Sequence, residues 1–218
     1  MTIHTNSSLR LYMESALAGA KTISGITNAD PGVVTSTAHG YSNGDFIYVS
    51  AQGMVEINGR VFKVVSVATD TFRLADVDGT TGIDTTDYGT FSSGSAYKIT
   101  YGTSITGVQE FSFSGGDIKT QDTTTVNDQV DTQIVTGATA MAADMTMQWD
   151  PNDAAQQAMI AAFQTRANKA FKIVWPDGAW AAWYGTVGYT GAPGGQKQGV
   201  TTSPAKITML GAITTGAA

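Results

Sequence analysis

Met141-Ala142-Ala143-Asp144-Met145-Thr146-Met147-Gln148-Trp149-Asp150-Pro151 is the stretch that decides the fold class. Met141, Ala143, Met145, Met147 and Trp149 alternate with Ala142, Asp144, Thr146 and Gln148, the period of two expected of a strand that buries one face. Asp150 stops the strand. With Asp150 as N-cap, Pro151 at the first helical position and Asp153 near the positive end of the dipole, a helix is predicted over about 151–167. Ala155, Met159, Ala162 and Phe163 make its apolar stripe, while Gln156, Gln157, Gln164 and Thr165 face elsewhere. Beyond it, 171–175 reads as a strand, Pro176-Asp177-Gly178 as a turn and 179–189 as a returning strand. One helix on an antiparallel sheet is the result.

The chain has 218 residues, enough for a full core in one domain or two small ones, and two are favoured. Only 14% of residues are charged and 25 are glycine, a balance that suits short strands joined by turns and not a helical bundle. The net charge of −6 comes with scattered basic residues, which argues against tight nucleic-acid binding. The same acidity would suit a surface past which DNA slides without sticking. There is no cysteine, so disulfides and thiolate metal sites are excluded. No apolar run approaches the roughly 20 residues that span a bilayer. Met1-Thr2-Ile3-His4-Thr5-Asn6 lacks the pattern of a secretory signal, so a soluble product made in a cytoplasm is expected.

Residues 1–8 read as a polar arm, held only when another subunit orders it, and 9–13 as a first strand. From about 22 to 100 the texture is closely spaced strands at 32–35, 46–49, 61–65 and 71–74. Asn43-Gly44-Asp45 and Asn58-Gly59-Arg60 are turns that call for positive φ. The pattern Asn28-Ala29-Asp30-Pro31-Gly32-Val33-Val34-Thr35, His39-Gly40, Asn43-Gly44-Asp45, Asn58-Gly59-Arg60 and Thr69-Asp70-Thr71-Phe72 resembles a small β-barrel module. It is similar to the first catalytic-cysteine half-domain of ubiquitin-activating enzymes, a pattern also found inserted in phage structural proteins. No ubiquitin chemistry is implied, because no cysteine is present.

After Tyr101 a second β-rich unit begins, with a strand at 107–113 and a long polar stretch at 115–132. That stretch holds Lys119, Thr120, Asp122, Thr123, Thr124, Thr125, Asn127 and Asp128 with scarcely an apolar anchor, and is expected to be an assembly loop. A Gly-rich connection at 191–199 and a final strand at 205–213 complete the unit. The order is an early apolar segment, a strand ending in a Gly-Gly and Thr/Asp-rich loop, the strand into Trp149-Asp150-Pro151, one helix, the Trp175-Pro176-Asp177-Gly178 hairpin, a Gly-rich loop and a last strand. In that order the unit, joined to 9–21, resembles the tail tube protein (major tail protein) of long-tailed, non-contractile bacteriophages.

The resemblance implies a mainly β fold: a β-sandwich or barrel flanked by one helix, formed by 1–21 and 101–218, with 22–100 as an inserted all-β module outside the tube. It implies a structural virion protein, not an enzyme, that forms hexameric rings stacked into a channel for DNA ejection. The implied partners are further copies of the chain, the tail terminator and tail tip proteins, and the tape measure protein and DNA that pass through the lumen. The implied location is the virion tail, after synthesis in the host cytoplasm, with no membrane contact and no cofactor.

Other chemistry is weaker. His4 and His39 are the only histidines, and neither has a nameable triad or metal partner. Asp76, Asp78, Asp84 and Asp87 offer oxygen ligands, but the spacing fails the EF-hand pattern, so a solvated acidic loop is favoured. Glu110 with Asp117 or Asp122 could pair for glycoside hydrolysis, though sequence fixes no separation. Trp149, Trp175, Trp180 and Trp183 are candidate core or interface aromatics. On an alternating strand Trp180 and Tyr184 share one face and Trp183 takes the other, which favours core plus interface over a sugar platform. A glycan-binding β module of a tail-tip or surface protein, using these tryptophans, is the alternative function.

Overall fold

The computed structural model describes residues 8–127, 129–197 and 199–217; the arm reading of 1–8 falls outside them except for Ser8. The first strands are β1 (Arg10–Met13), β2 (Ala16–Leu17), β3 (Lys21–Ile23), β4 (Gly25–Ile26), β5 (Val34–Thr35), β6 (Phe46–Gln52), β7 (Arg60–Val65), β8 (Thr71–Leu74) and β9 (Ser93–Thr100). Next come β10 (Thr103–Ile105), β11 (Val108–Ser114), β12 (Ile118–Asp122), β13 (Gln133–Ala138) and β14 (Ala142–Gln148). The helix α1 (Ala154–Thr165) precedes β15 (Asn168–Val174), β16 (Trp180–Gly188), β17 (Thr202–Met209) and β18 (Thr214–Gly216). The fold is mainly β with a single α-helix among the described residues, as the sequence predicts, and one short 3-10 turn at Val55–Ile57.

Two eight-stranded sheets carry the chain. The first runs β10-β1-β15-β16-β17-β14-β11, with β18 added to β16, and every pairing is antiparallel. Its two outermost strands, β10 and β11, are separated in sequence by Thr106 and Gly107 alone. Laid flat, seven strands would hold their edges roughly 29 Å apart, whereas the chain from Ile105 to Val108 reaches about 11 Å. The sheet therefore curls into an open barrel. Phe111 and Phe113 of β11 accordingly pack on Trp183 of β16, with centroids 6.1 and 5.4 Å away, although the two strands are not ladder neighbours.

The inside of this barrel takes the alternate residues that the opening stretch marks out. Ala143, Met145 and Met147 join Leu11, Met13, Phe171, Ile173, Trp183, Val187, Ala205 and Ile207 in one buried cluster. The helix α1 contributes Ala155, Met159 and Ala162 to the same core. The second sheet runs β2-β9-β6-β7-β8-β5-β4, with β3 added to β9, and lies wholly within residues 16–100. Ile47, Val49, Phe62, Val64, Phe72 and Leu74 fill its own core. Both Asn-Gly turns form as the positive φ requirement predicts, with φ of 91° at Gly44 and 73° at Gly59.

Several boundaries differ from the sequence reading. The helix is capped by Asp153, whose carboxylate accepts from the Gln156 N–H at 2.9 Å, and not by Asp150. Asp150 instead closes a turn, its carboxylate taking the Asn152 N–H at 2.9 Å and its carbonyl the Asp153 N–H. Of the predicted stripe, Ala155, Met159 and Ala162 are buried, but Phe163 is exposed and Gln156 is enclosed in its place. The terminal strand expected over 205–213 is β17, which begins earlier and stops at Met209, and a further strand, β18, follows it; the two pair with different halves of β16. The polar stretch 115–132 is not all loop, because 118–122 pairs with β13 as a separate two-stranded ribbon.

Candidate functional site

The two sheets meet along a seam built from the outward face of the barrel. Trp180 and Ala182 of β16 and Ala170 of β15 pack with Val61 and Ile99 of the second sheet, flanked by Phe46, Tyr48, Tyr101 and Tyr184. Phe46 stands edge-on to Trp180 with centroids 5.0 Å apart, and Tyr48 stacks on Tyr184 at 4.1 Å. Lys172 lies between three rings, 4.6 Å from Phe46, 4.7 Å from Tyr101 and 5.4 Å from Tyr12, and burial lowers its pKa. Desolvation raises the Tyr101 phenol well above its ordinary value and brings Tyr184 to about 12, so both stay neutral. At one end of the seam the buried Glu14 accepts from the Lys169 ammonium and the Ala170 N–H, each at 3.1 Å.

The ribbon of β12 and β13 is the opposite kind of structure. Every residue of both strands is exposed, and their register shifts between Lys119 and Thr120. Ile118, Ile134 and Val135 are 67%, 54% and 67% exposed. Lys119 and Thr120 lie on β12, where the Lys119 carbonyl accepts the Thr136 hydroxyl at 3.2 Å. Asp122 accepts the Thr124 N–H at 2.8 Å, and the hydroxyl and N–H of Thr124 hold its pKa down. Thr123 and Thr124 tie back to Thr132 through Thr123 N–H at 2.9 Å and Thr132 N–H at 3.0 Å. Thr125 and Asn127 form the exposed tip, and Asp128 lies outside the described residues. A two-stranded ribbon with no core of its own is marginal in water. The apolar side chains that would give it a partner, Ile134 and Val135, sit beyond the polar run and escaped the sequence reading.

The tryptophans separate by environment. Trp183 is fully buried and stacks on Phe171 with centroids 5.9 Å apart; Trp180 is closed under the second sheet. A sugar platform on Trp180 and Trp183 is thereby shut off, since neither ring face meets solvent. Trp175 packs at the margin of the barrel core, and Trp149 is 38% exposed, its indole N–H donating to the Gly191 carbonyl at 3.1 Å. Gln156, which the periodicity placed on the outside, ties the helix start to the sheet. Its amide donates to the Gln148 carbonyl at 2.7 Å and accepts the Tyr189 hydroxyl at 2.7 Å.

The remaining polar candidates are held locally. His39 is buried between Tyr41 and Phe72, with Nδ1 taking the Tyr41 N–H at 3.0 Å and Nε2 beside the Ala68 carbonyl at 3.1 Å. Asp78 accepts from Thr80 and Thr81, whose hydroxyl and N–H bonds bring its pKa to about 2. Glu110 sits on β11 of the barrel, whereas Asp117 and Asp122 belong to the ribbon.

A groove of about 430 Å³ separates the barrel edges, running past Leu9, Arg10, Ile105, Val108 and Phe111. The curled sheet with two open edges and the exposed ribbon define a mainly β protein whose outer strands are left without ladder partners on one side. The chain belongs to the phage tail tube protein family, whose family model matches residues 52–218. It is therefore a structural protein of the virion tail. The match opens at Gln52, the end of β6, and so takes in β7, β8 and β9 of the second sheet as well as the barrel from β10 onward. No curated protein matches the chain.

Proposed function

We propose that copies of this chain close into hexameric rings and stack into a tube through which the tape measure protein and DNA pass, with tail terminator and tail tip proteins at its ends. The observation that carries this reading is the ribbon of β12 and β13, exposed along its whole length with apolar side chains and no support from its own subunit. In a stack it would pack on the adjacent ring, and Lys119, Thr120, Asp122, Thr123, Thr124, Thr125, Asn127 and Asp128 would lie at that contact. The N-terminal arm and the 191–199 connection would lie at other contacts between subunits. The second sheet, proposed as an inserted module similar to the ubiquitin-activating half-domain, would ride on the outside of the tube. The chain performs no catalysis in this reading.

Negative-stain electron microscopy of the concentrated protein, beside tails from a producing culture, tests the proposal. Hollow tubes or six-fold rings are expected; monomers alone, with no matching band in tails, would overturn it. Deleting 120–127 should leave a folded monomer that cannot polymerise, and normal tubes from that deletion would remove the ribbon from the contact.

A further inference from the structure

We propose that the outward face of β11, β14 and β17 is the channel wall, and that Asp144 keeps this wall from holding DNA by neutralising Lys206. The proposal rests on the tube reading and adds which residues face the cargo. Lys172 and Ala170 of β15 and Trp180, Ala182 and Tyr184 of β16, all outward, pack against the second sheet, and Tyr12 of β1 stands beside Lys172. In the ladder order of a curled sheet, β17, β14 and β11 occupy the other side of the barrel. With the second sheet outside the tube, that side turns inward. The ribbon also rises directly from the ends of β11 and β14. A ribbon seated on the next ring therefore brings the β11–β14 faces of successive rings into line along the axis.

The chemistry of the face suits passage. Inward positions of these strands hold Phe111, Met145, Met147, Ala205 and Ile207, so the outward positions are Glu110, Ser112 and Ser114 of β11, Ala142, Asp144, Thr146 and Gln148 of β14, and Thr202, Pro204, Lys206 and Thr208 of β17, with only Ala142 buried. Short hydroxyl side chains and two carboxylates stand against a single ammonium among these described positions. That ammonium is engaged: Lys206 Nζ lies 3.6 Å from Asp144 Oδ1, its direct cross-strand neighbour. The other oxygen of Asp144 accepts the Ser114 hydroxyl at 2.5 Å, which fixes the carboxylate in place.

Both partners of the ion pair are solvent-exposed, at 60% and 37% of their side chains. Exposed pairs of this kind contribute little to stability. Their effect on a polyanion is larger, because each lysine freed to meet phosphate adds a salt-dependent contact and a ring repeats it in every subunit. Asp144 removes that contact at its source.

Tubes of the purified chain, mixed with a short fluorescent DNA duplex and sedimented at low salt, give the test. Wild-type tubes should retain little DNA, Asp144→Asn tubes more, and Glu110→Gln/Asp144→Asn tubes about tenfold more than wild type, falling away as salt is raised. The retained DNA should resist nuclease, and adding Lys206→Gln should cancel the gain. DNA held in nuclease-sensitive form, retention that survives Lys206→Gln, or no added retention in the double variant would overturn the assignment. Double-variant protein that fails to form tubes while wild type succeeds would place these residues in a subunit contact, and would also overturn it. Failure of the unmodified chain to form tubes, seen before any DNA is added, counts against the tube reading instead.

Discussion

The seam between the sheets and the β12–β13 ribbon are both antiparallel β structure, yet they are stabilised in opposite ways. In the seam, Phe46, Trp180, Tyr48 and Tyr184 remove large aromatic surface from water and enclose Lys172. In the ribbon, the ladder bonds and a few threonine hydroxyls are present, but every side chain of both strands stays in solvent. Hydrogen-bonded pairing alone contributes little net free energy, since water offers the same bonds to the unfolded chain. Burial separates the two regions: the seam is stabilised within the subunit, and the ribbon draws almost nothing from its own side chains.

The sharpest test of that contrast is Trp183→Ala beneath the seam. Truncating a fully buried aromatic should cost about 3–5 kcal/mol, read as a lower urea midpoint in circular dichroism. Glu14→Ala should cost about 1–3 kcal/mol, because the Ala170 N–H and the Lys169 ammonium lose their buried acceptor. Gly216→Ala tests the C-terminal edge of the seam, where an added Cβ would collide with the Trp180 indole. A loss of about 1–3 kcal/mol is expected from overpacking, and an unchanged thermal midpoint would show that Trp180 can shift freely. Asp153→Ala, which removes the helix cap, should cost about 1 kcal/mol. At the far end of the scale, Ile134→Ser with Val135→Ser should move stability by no more than about 0.5 kcal/mol while abolishing tubes in electron micrographs. A stability loss as large as that of Trp183→Ala would mean the ribbon has a partner within its own subunit.

The sequence was most legible where one local rule acts alone. The alternation through Met141 to Gln148 reappears as β14 with Ala143, Met145 and Met147 inward, and Asn-Gly marks the turns at Gly44 and Gly59. The helix was found three residues too early because Asp150 and Asp153 are both competent caps. The hydrogen bond from Gln156 N–H to Asp153, supported by the Thr106 hydroxyl at 3.2 Å from the other carboxylate oxygen, decides between them. Gln156 itself could not be placed, because its burial depends on Gln148 and Tyr189, which only the folded sheet brings together. For the same reason the two-sided tryptophan pattern leaves open what lies on each face; the Trp180 face is occupied by Phe46 and Val61 of the same chain. The charge pair of Asp144 and Lys206 spans 62 positions and has no local signature.

The pairing of β1 with β15, Arg10 opposite Val174 and Met13 opposite Phe171, also sets a timetable. At typical synthesis rates the segment that becomes β1 leaves the ribosome roughly 8–33 s before its partner. The second sheet draws on residues 16–100 alone, so all of its strands have been made within that interval. The barrel cannot be completed until β15 and β16 have followed the helix, so the nascent chain carries all strands of the second sheet while the barrel is still open. A fragment released early by a stalled ribosome would carry every strand of the second sheet but only the first strands of the barrel.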